Sequence, residues 1–382
     1  MIRSPAGFDG GDRIKRYLDY YQPSYGVMML SAGQAFNPAS LFAAGEQGVW
    51  YDPSDFTTMF QDSAGTTPVT AVEQPVGRIL DKSGRGNTAT QSTSASRPVL
   101  SARVNELLNT ATLATQNVTT RAATYTLAFS GTGTVTTSGT NVGVYSAGSN
   151  SLVCTAGTLT LTVSGSVTSA DLRVTNTGVG LPAYQAVVTS TNYDTTGFPY
   201  YLKFDGTDDF LTTASINPGA GVKAQMFAGV RVETPRSNNS PVWQFGDTTT
   251  TATDAMMRLT TGDGSTDAYR AVLHGSALNL SPRVTKVAPY TVVFSTLYDA
   301  AAAGAGEISL RENGTVKATG SATDSGVTSF GSQVLYIGRQ AAAVGYINGK
   351  IYSLIARFSA TNLSASTIAS AEAWTNSVTK AY

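Results

Sequence analysis

One cysteine and one histidine in 382 residues remove whole classes of chemistry at once. Cys154 has no partner for an internal disulfide, and neither a thiolate zinc site nor a multi-histidine metal centre can be assembled. His274 leaves a nucleophilic triad a single possible base; beside Leu273 and Gly275 at a strand end, it reads as an ordinary polar side chain. Charge is scarce too: 13% of residues are charged, against roughly 25% in an average soluble protein, and the formal net charge is zero. With no basic run to neutralise phosphates and no basic amphipathic helix to lie on lipid, neither nucleic acid nor a membrane is an expected partner. Apolar runs are short: Val27–Leu30 falls far below bilayer length, and Met1–Gly11 holds no apolar stretch of signal-peptide type. Synthesis in the cytoplasm and release by a route other than a cleaved signal are therefore expected.

What fills the chain instead is threonine, serine, glycine and alanine alternating with apolar residues. Thr158–Ser164 puts Leu159, Leu161 and Val163 on one face and threonines on the other, the pattern of a half-buried antiparallel strand. Tyr125–Phe129, Gly133–Thr137 and Asp171–Val174 repeat it, with turns at Ser130-Gly131 and Ser138-Gly139. Residues 103–190 thus read as a small β-sandwich. In Tyr200–Thr213 an alternating strand, an Asp205-Gly206 turn and a second strand open a longer series, which reads as a two-sheet jelly roll over 191–382. Asn313-Gly314 marks a type I′ hairpin within it. Leu363–Val378 is the clear helix, capped by Ser364 or Ser366, with Ile368, Ala371, Trp374 and Val378 as an apolar stripe.

Residues 1–102 differ, reading as an attachment segment of loops and short helices. Arg13–Tyr20 fits two helical turns, and Asn37–Ala44 has Pro38 early, where its missing N–H matters least. Ser54 reads as the cap of a short helix carrying Phe56, Met59 and Phe60 on one face. The fold class expected is mainly β: an irregular N-terminal segment, a small β-sandwich, then a concanavalin-A-like jelly roll with one C-terminal helix.

Phe204–Leu211, Ser309–Gly314, Leu335–Arg339 and Ile347–Ile355 together resemble laminin-G-like, concanavalin-A-like domains. With Val49–Asp55, the turn Asp81–Asn87, a threonine-rich middle part similar to carbohydrate-binding modules and the Trp374 helix, the set resembles structural proteins of tailed bacteriophages. The resemblance covers residues from about 40 to the end. It implies a virion protein, tail fibre, tail tip or head decoration, that binds host surface glycans and other virion proteins. Homo-oligomers, with a trimer favoured, are also implied, although no heptad run specifies a coiled coil.

Glycoside hydrolases on such sandwiches set two carboxylates on one strand face. None of Glu46, Glu73, Glu106, Glu233, Glu307, Glu312 and Glu372 has a second carboxylate two residues away on a predicted strand. The expectation is therefore a binding protein and not an enzyme, with no catalytic residue assigned. A capsular polysaccharide depolymerase is the rival class, and a spacer without ligand the third. Trp243, Tyr269 and Tyr298 are the candidate sugar-stacking residues, each set against a core-packing alternative. No cofactor is expected except calcium, for which Asp205, Asp208 and Asp209 supply hard oxygen ligands on a turn. Asp-Gly turn chemistry explains the same residues, and Gly262–Asp267 is a second acidic loop with the same two readings.

Overall fold

The computed structural model describes residues 35–175, 183–188, 198–234, 239–247, 255–262, 267–275, 279–320 and 325–382. The helix expected at Arg13–Tyr20 and Asp263 of the second acidic loop lie outside these residues.

Alternation of apolar and polar residues builds two large antiparallel sheets that face each other. The first runs Thr315–Thr319, Ile308–Glu312, Tyr290–Asp299, Lys223–Val232, Asn348–Ser359, Tyr201–Asp205, Val99–Ser101, with Gln47–Tyr51 also paired to Asn348–Ser359. The second has Ala268–His274, Met256–Thr261, Ser240–Phe245, Gln333–Ile337 and Leu211–Ile216 at its centre. Phe204, Val230, Phe294 and Phe358 from one sheet and Trp243, Phe245, Tyr269 and Leu335 from the other are buried in a shared core. Burying large side chains like these contributes about 1.5–3 kcal/mol each. The expected mainly-β, sandwich-type fold is thus present.

Its boundaries are not those expected. The segment 37–102 is woven into both large sheets: Val49 pairs with Ala356, Leu100 with Leu202, and Ala89 with Thr213. The large sandwich is therefore discontinuous in sequence. The middle sheet, from Gln116–Thr120 to Val167–Val174, is inserted where Ser101 and Tyr201 sit side by side as strand partners. Chain ends held that close accept an inserted domain without distortion.

Four local expectations change with this context. Asp205-Gly206 does not close a hairpin; it carries the chain from Tyr201–Asp205 in the first sheet to Leu211–Ile216 in the second. Ser130-Gly131 is not a turn but the bulge in a single strand, Ala123–Gly139, where Gly131 takes φ 107° and a Cβ would meet Ser166 O. The helix expected after Ser54 is one turn, Phe56–Thr58, capped by Asp55, and Met59–Phe60 is a strand. The Asn313-Gly314 hairpin and the C-terminal helix Ala365–Thr379, capped by Ser364, form as expected. That helix, however, buries Ala371, Glu372, Thr375 and Thr379 against the first sheet, while Trp374 stays half-buried, edge-on to Trp50 at 5.5 Å. Glu372 is matched there by Ser295 at 2.8 Å and Arg311 at 2.7 Å, which is why a carboxylate replaces the apolar stripe.

Candidate functional site: a polar cleft beside the inserted sheet

On the outer face of the first sheet, strand register sets Lys203, Lys350, Arg231 and Thr291 in one cross-strand row. Leu202, Phe204, Val230, Val232 and Ile351 point into the core, so alternation forces these cations outward. Directly opposed like charges repel, and an anion has to sit over the row. Glu233, two residues beyond Arg231 on the same face, is that anion. Its carboxylate accepts from Arg231 Nε at 3.1 Å, lies 3.4 Å from Lys350 Nζ, and is gripped by Arg121 from the inserted part. Burial pushes the Glu233 carboxyl up, yet Lys350, Arg231 and Arg121 together outweigh it and hold the group down to about 2. Glu233 is an ionised structural hub joining the large sandwich to the inserted sheet, and it cannot serve as a proton donor near neutral pH.

Beside this hub opens a cleft of about 380 Å³, within the range of small-ligand sites. The large sandwich contributes Glu73, Tyr201, Lys203, Asn348 and Lys350, and the inserted part contributes Glu106, Thr119 and Arg121. Glu73 holds a left-handed backbone, φ 62°, which costs an ordinary residue on the order of 1 kcal/mol. Hydrogen bonds from Glu73 N to Leu100 O and from Leu100 N to Gln74 O impose it, at 2.7 and 2.9 Å. Its carboxylate accepts from Ser101 Oγ at 2.6 Å. Tyr201 donates to Arg103 O at 2.5 Å; burial raises its phenol, and Glu73, Glu106 and Glu233 push the same way.

Three glutamates 33 and more positions apart in sequence thus meet at one cleft, which same-strand spacing could not show. Arg231-Val232-Glu233 did carry a readable signal, since an Arg and a Glu two apart on a strand share a face. Trp243, Tyr269 and Tyr298, the expected stacking residues, are not available to a sugar. All are fully buried: Trp243 packs edge-on to Tyr298 at 6.0 Å, Tyr269 donates to Glu312, and Tyr298 donates to Arg258 O at 3.2 Å. Each has its flat face in the inter-sheet core because it lies on the inward parity of its strand.

Asp205, Asp208 and Asp209 do converge, their ligand atoms within 4.8 Å of one another. Asp209 accepts from Asp205 N at 3.0 Å, Asp205 from Thr207 N at 2.7 Å, and Asp208 from Ser96 Oγ at 2.7 Å. Burial first, then Asp205 and Asp208, raises the Asp209 carboxyl to about 7. His274 ends its strand, half-buried. Among the described residues no helix is long and apolar enough to cross a membrane.

No family model matches the chain, and no curated protein matches it. Among solved structures, the binding domain of botulinum neurotoxin DC in complex with rat synaptotagmin II is 11% identical, TM-score 0.34, over 48% of this chain and 44% of that one. The chain thus spans less than half of that protein's length. An arabinofuranosidase complexed with arabinofuranosyl-alpha-1,2-xylobiose is 11% identical, TM-score 0.44, over 91% of this chain and 66% of that one. The native heptameric SAP-like pentraxin from Limulus polyphemus is 13% identical, TM-score 0.32, over 47% and 80%. These likenesses concern the β-sandwich fold alone. The expectation that the chain is not an enzyme is corrected: arabinofuranosidases are among the structures that match it, along 91% of its length.

Proposed function

We propose that the protein is a virion protein of a tailed bacteriophage that engages host surface glycans in the cleft beside its inserted sheet. The observation that carries the glycan part is the cleft itself, about 380 Å³, walled by the large sandwich and the inserted part and lined by Glu73, Glu106, Lys203 and Asn348. Closely set charged and amide groups of both donor and acceptor type suit a polyhydroxylated ligand, whose hydroxyls both donate and accept. The virion part is supported by the sequence resemblance to phage structural proteins, and assembly as a homo-oligomer, with other virion proteins as partners, belongs to the same reading.

A second reading, hydrolysis of a glycan in the same cleft, is favoured by Glu73 and Glu106 lining it while Glu233 is kept ionised. Glycoside cleavage needs one carboxylic acid and one further carboxylate across the bond, and these two glutamates are the pair that the cleft offers. Calcium, where it binds, would be held by Asp205, Asp208 and Asp209, whose crowded carboxylates suit a hard divalent cation.

The test is binding of purified host envelope polysaccharide to the full chain and to the variants Lys203→Ala and Glu106→Gln, with reducing ends measured in the same samples. Loss of affinity by tenfold or more in both variants is expected. Unchanged binding in both would remove the cleft from the proposal. Release of reducing ends that vanishes in Glu106→Gln or Glu73→Gln would assign hydrolysis. Immunogold labelling of intact particles reads the virion assignment, and unlabelled particles would refute it.

A further inference from the structure

Away from the cleft, the inserted sheet is almost without charge. Of 25 lysines and arginines and 25 aspartates and glutamates, Leu107–Ala170 holds Arg121 alone, and Glu233 grips that residue beside the cleft. The rest of the stretch presents hydroxyls. Register sets Thr162, Thr136 and Val144 in one cross-strand row, with Ser164, Thr134 and Ser146 in the next. Val163, Val135 and Tyr145 occupy the intervening positions and pack inward, so both rows face outward.

Apolar side chains gather beside these rows. Val142, Val153 and Val144 are 80%, 72% and 69% exposed. Asn141 brings them together: Val142 follows it, its Nδ2 donates to Val153 O at 3.1 Å, and its Oδ1 accepts from the hydroxyl of Tyr145, next to Val144, at 2.8 Å. Single exposed apolar residues are ordinary, whereas three fixed around one amide make a patch. Val144 and Val153 belong to the edge strand Gly143–Cys154, which pairs with Ala123–Gly139 alone among the described residues. No charge and no proline guards that edge, the usual means of keeping other chains away. Its backbone is partly closed, since Ser146 O accepts from Asn150 Nδ2 at 3.0 Å. Outward side chains, and not a missing strand, are what remains to be covered.

Valine is β-branched and stiff, so covering it loses little side-chain freedom. A charged partner would give up hydration against this surface and meet no counter-charge there. The matching surface is therefore neutral and rich in hydroxyls. A second copy of the chain supplies it, because a two-fold axis sets one patch on itself. We infer that the inserted sheet is the contact between copies of this chain, with Val142, Val144 and Val153 at its centre and the threonine rows around them. The inference rests on the homo-oligomer of the proposed reading, for which it names the interface, and on nothing about the cleft.

The experiment is sedimentation velocity of the full chain from low to high concentration, in low and in high salt, with hydrogen exchange measured at both ends of the range. The parent is expected to form dimers that high salt does not dissociate, and protection of Gly143–Cys154 rises with concentration. Val144→Lys and Val153→Lys each weaken dimerisation at least tenfold. Their melting at low concentration matches the parent's, since both side chains stand in solvent. Val316→Lys, at an exposed valine of the first sheet, leaves the dimer intact, and an equal loss there overturns the inference. An oligomer that keeps its strength in both inserted-sheet variants removes this interface and leaves the homo-oligomer standing, whereas a parent monomeric throughout removes both. Protection of the same strand that rises only when neutral dextran is added assigns the surface to a glycan and overturns the second copy. If the lysine variants fail to fold, exchange of the parent decides: no gain of protection in Gly143–Cys154 with concentration refutes the contact.

Discussion

Replacing Glu233 by glutamine removes, among the described residues, the one carboxylate that Arg121, Arg231 and Lys350 share. The magnitude follows from the held-down carboxyl. Its ordinary value of 4.5 falls to about 2 in the fold, and each pH unit of such a difference corresponds to about 1.4 kcal/mol, so ionisation of Glu233 contributes roughly 3 kcal/mol near neutral pH. The side chain is 12% exposed, so solvent screening removes little of this. Leaving three cations without their anion puts the full cost of the variant at about 3–5 kcal/mol at pH 7. The sign is that of a depressed carboxylate: the stabilisation is complete above pH 4.5 and lost as pH falls toward 2. By pH 3 roughly 2 of those 3 kcal/mol are gone, so the gap between parent and variant narrows by that amount. Urea unfolding of both proteins at pH 7 and pH 3 measures it. A gap that is the same at both pH values would show that charge on Glu233 does not hold the inserted sheet to the large sandwich.

Asp209→Asn carries the opposite sign. Because the folded carboxyl is raised from 3.8 to about 7, the native state keeps a proton that the unfolded chain gives up, and stability declines as pH rises from about 4 to 7. The variant should exceed the parent at pH 8, by up to about 4 kcal/mol, and match it at pH 4, and a pH-independent difference in melting would sink this account. Calcium at millimolar concentration is expected to raise the parent's melting temperature at pH 8 and to do so less in Asp209→Asn; equal shifts would dismiss the three aspartates as its ligands. Gly229→Ala tests the helix seat, since a Cβ there would lie 1.8 Å from Thr379 Oγ1. About 1–3 kcal/mol of destabilisation is expected, with a change in the near-ultraviolet signal of the Trp50–Trp374 pair, and an unaltered spectrum would mean that the helix does not rest on that strand.

The sequence alone determined what is local. Alternation in Thr158–Ser164 and around Tyr201–Asp205 set which side chains face inward, Asn313-Gly314 set a hairpin, Ser364 set a helix start, and scarcity of cysteine, histidine and charge removed several chemistries. Each of these depends on residues within a few positions of one another. Tertiary structure decided which strands become partners. It joined Val49 to Ala356 and Ser101 to Tyr201, made the sheet from Gln116–Thr120 to Val167–Val174 an insertion, and lined up Lys203, Lys350 and Arg231 under Glu233. It also placed Glu73 and Glu106 at one cleft and sent Trp243, Tyr269 and Tyr298 into the core. A period of two fixes the face of a residue but leaves its neighbour across the sheet open, because register is set by long-range packing of whole faces.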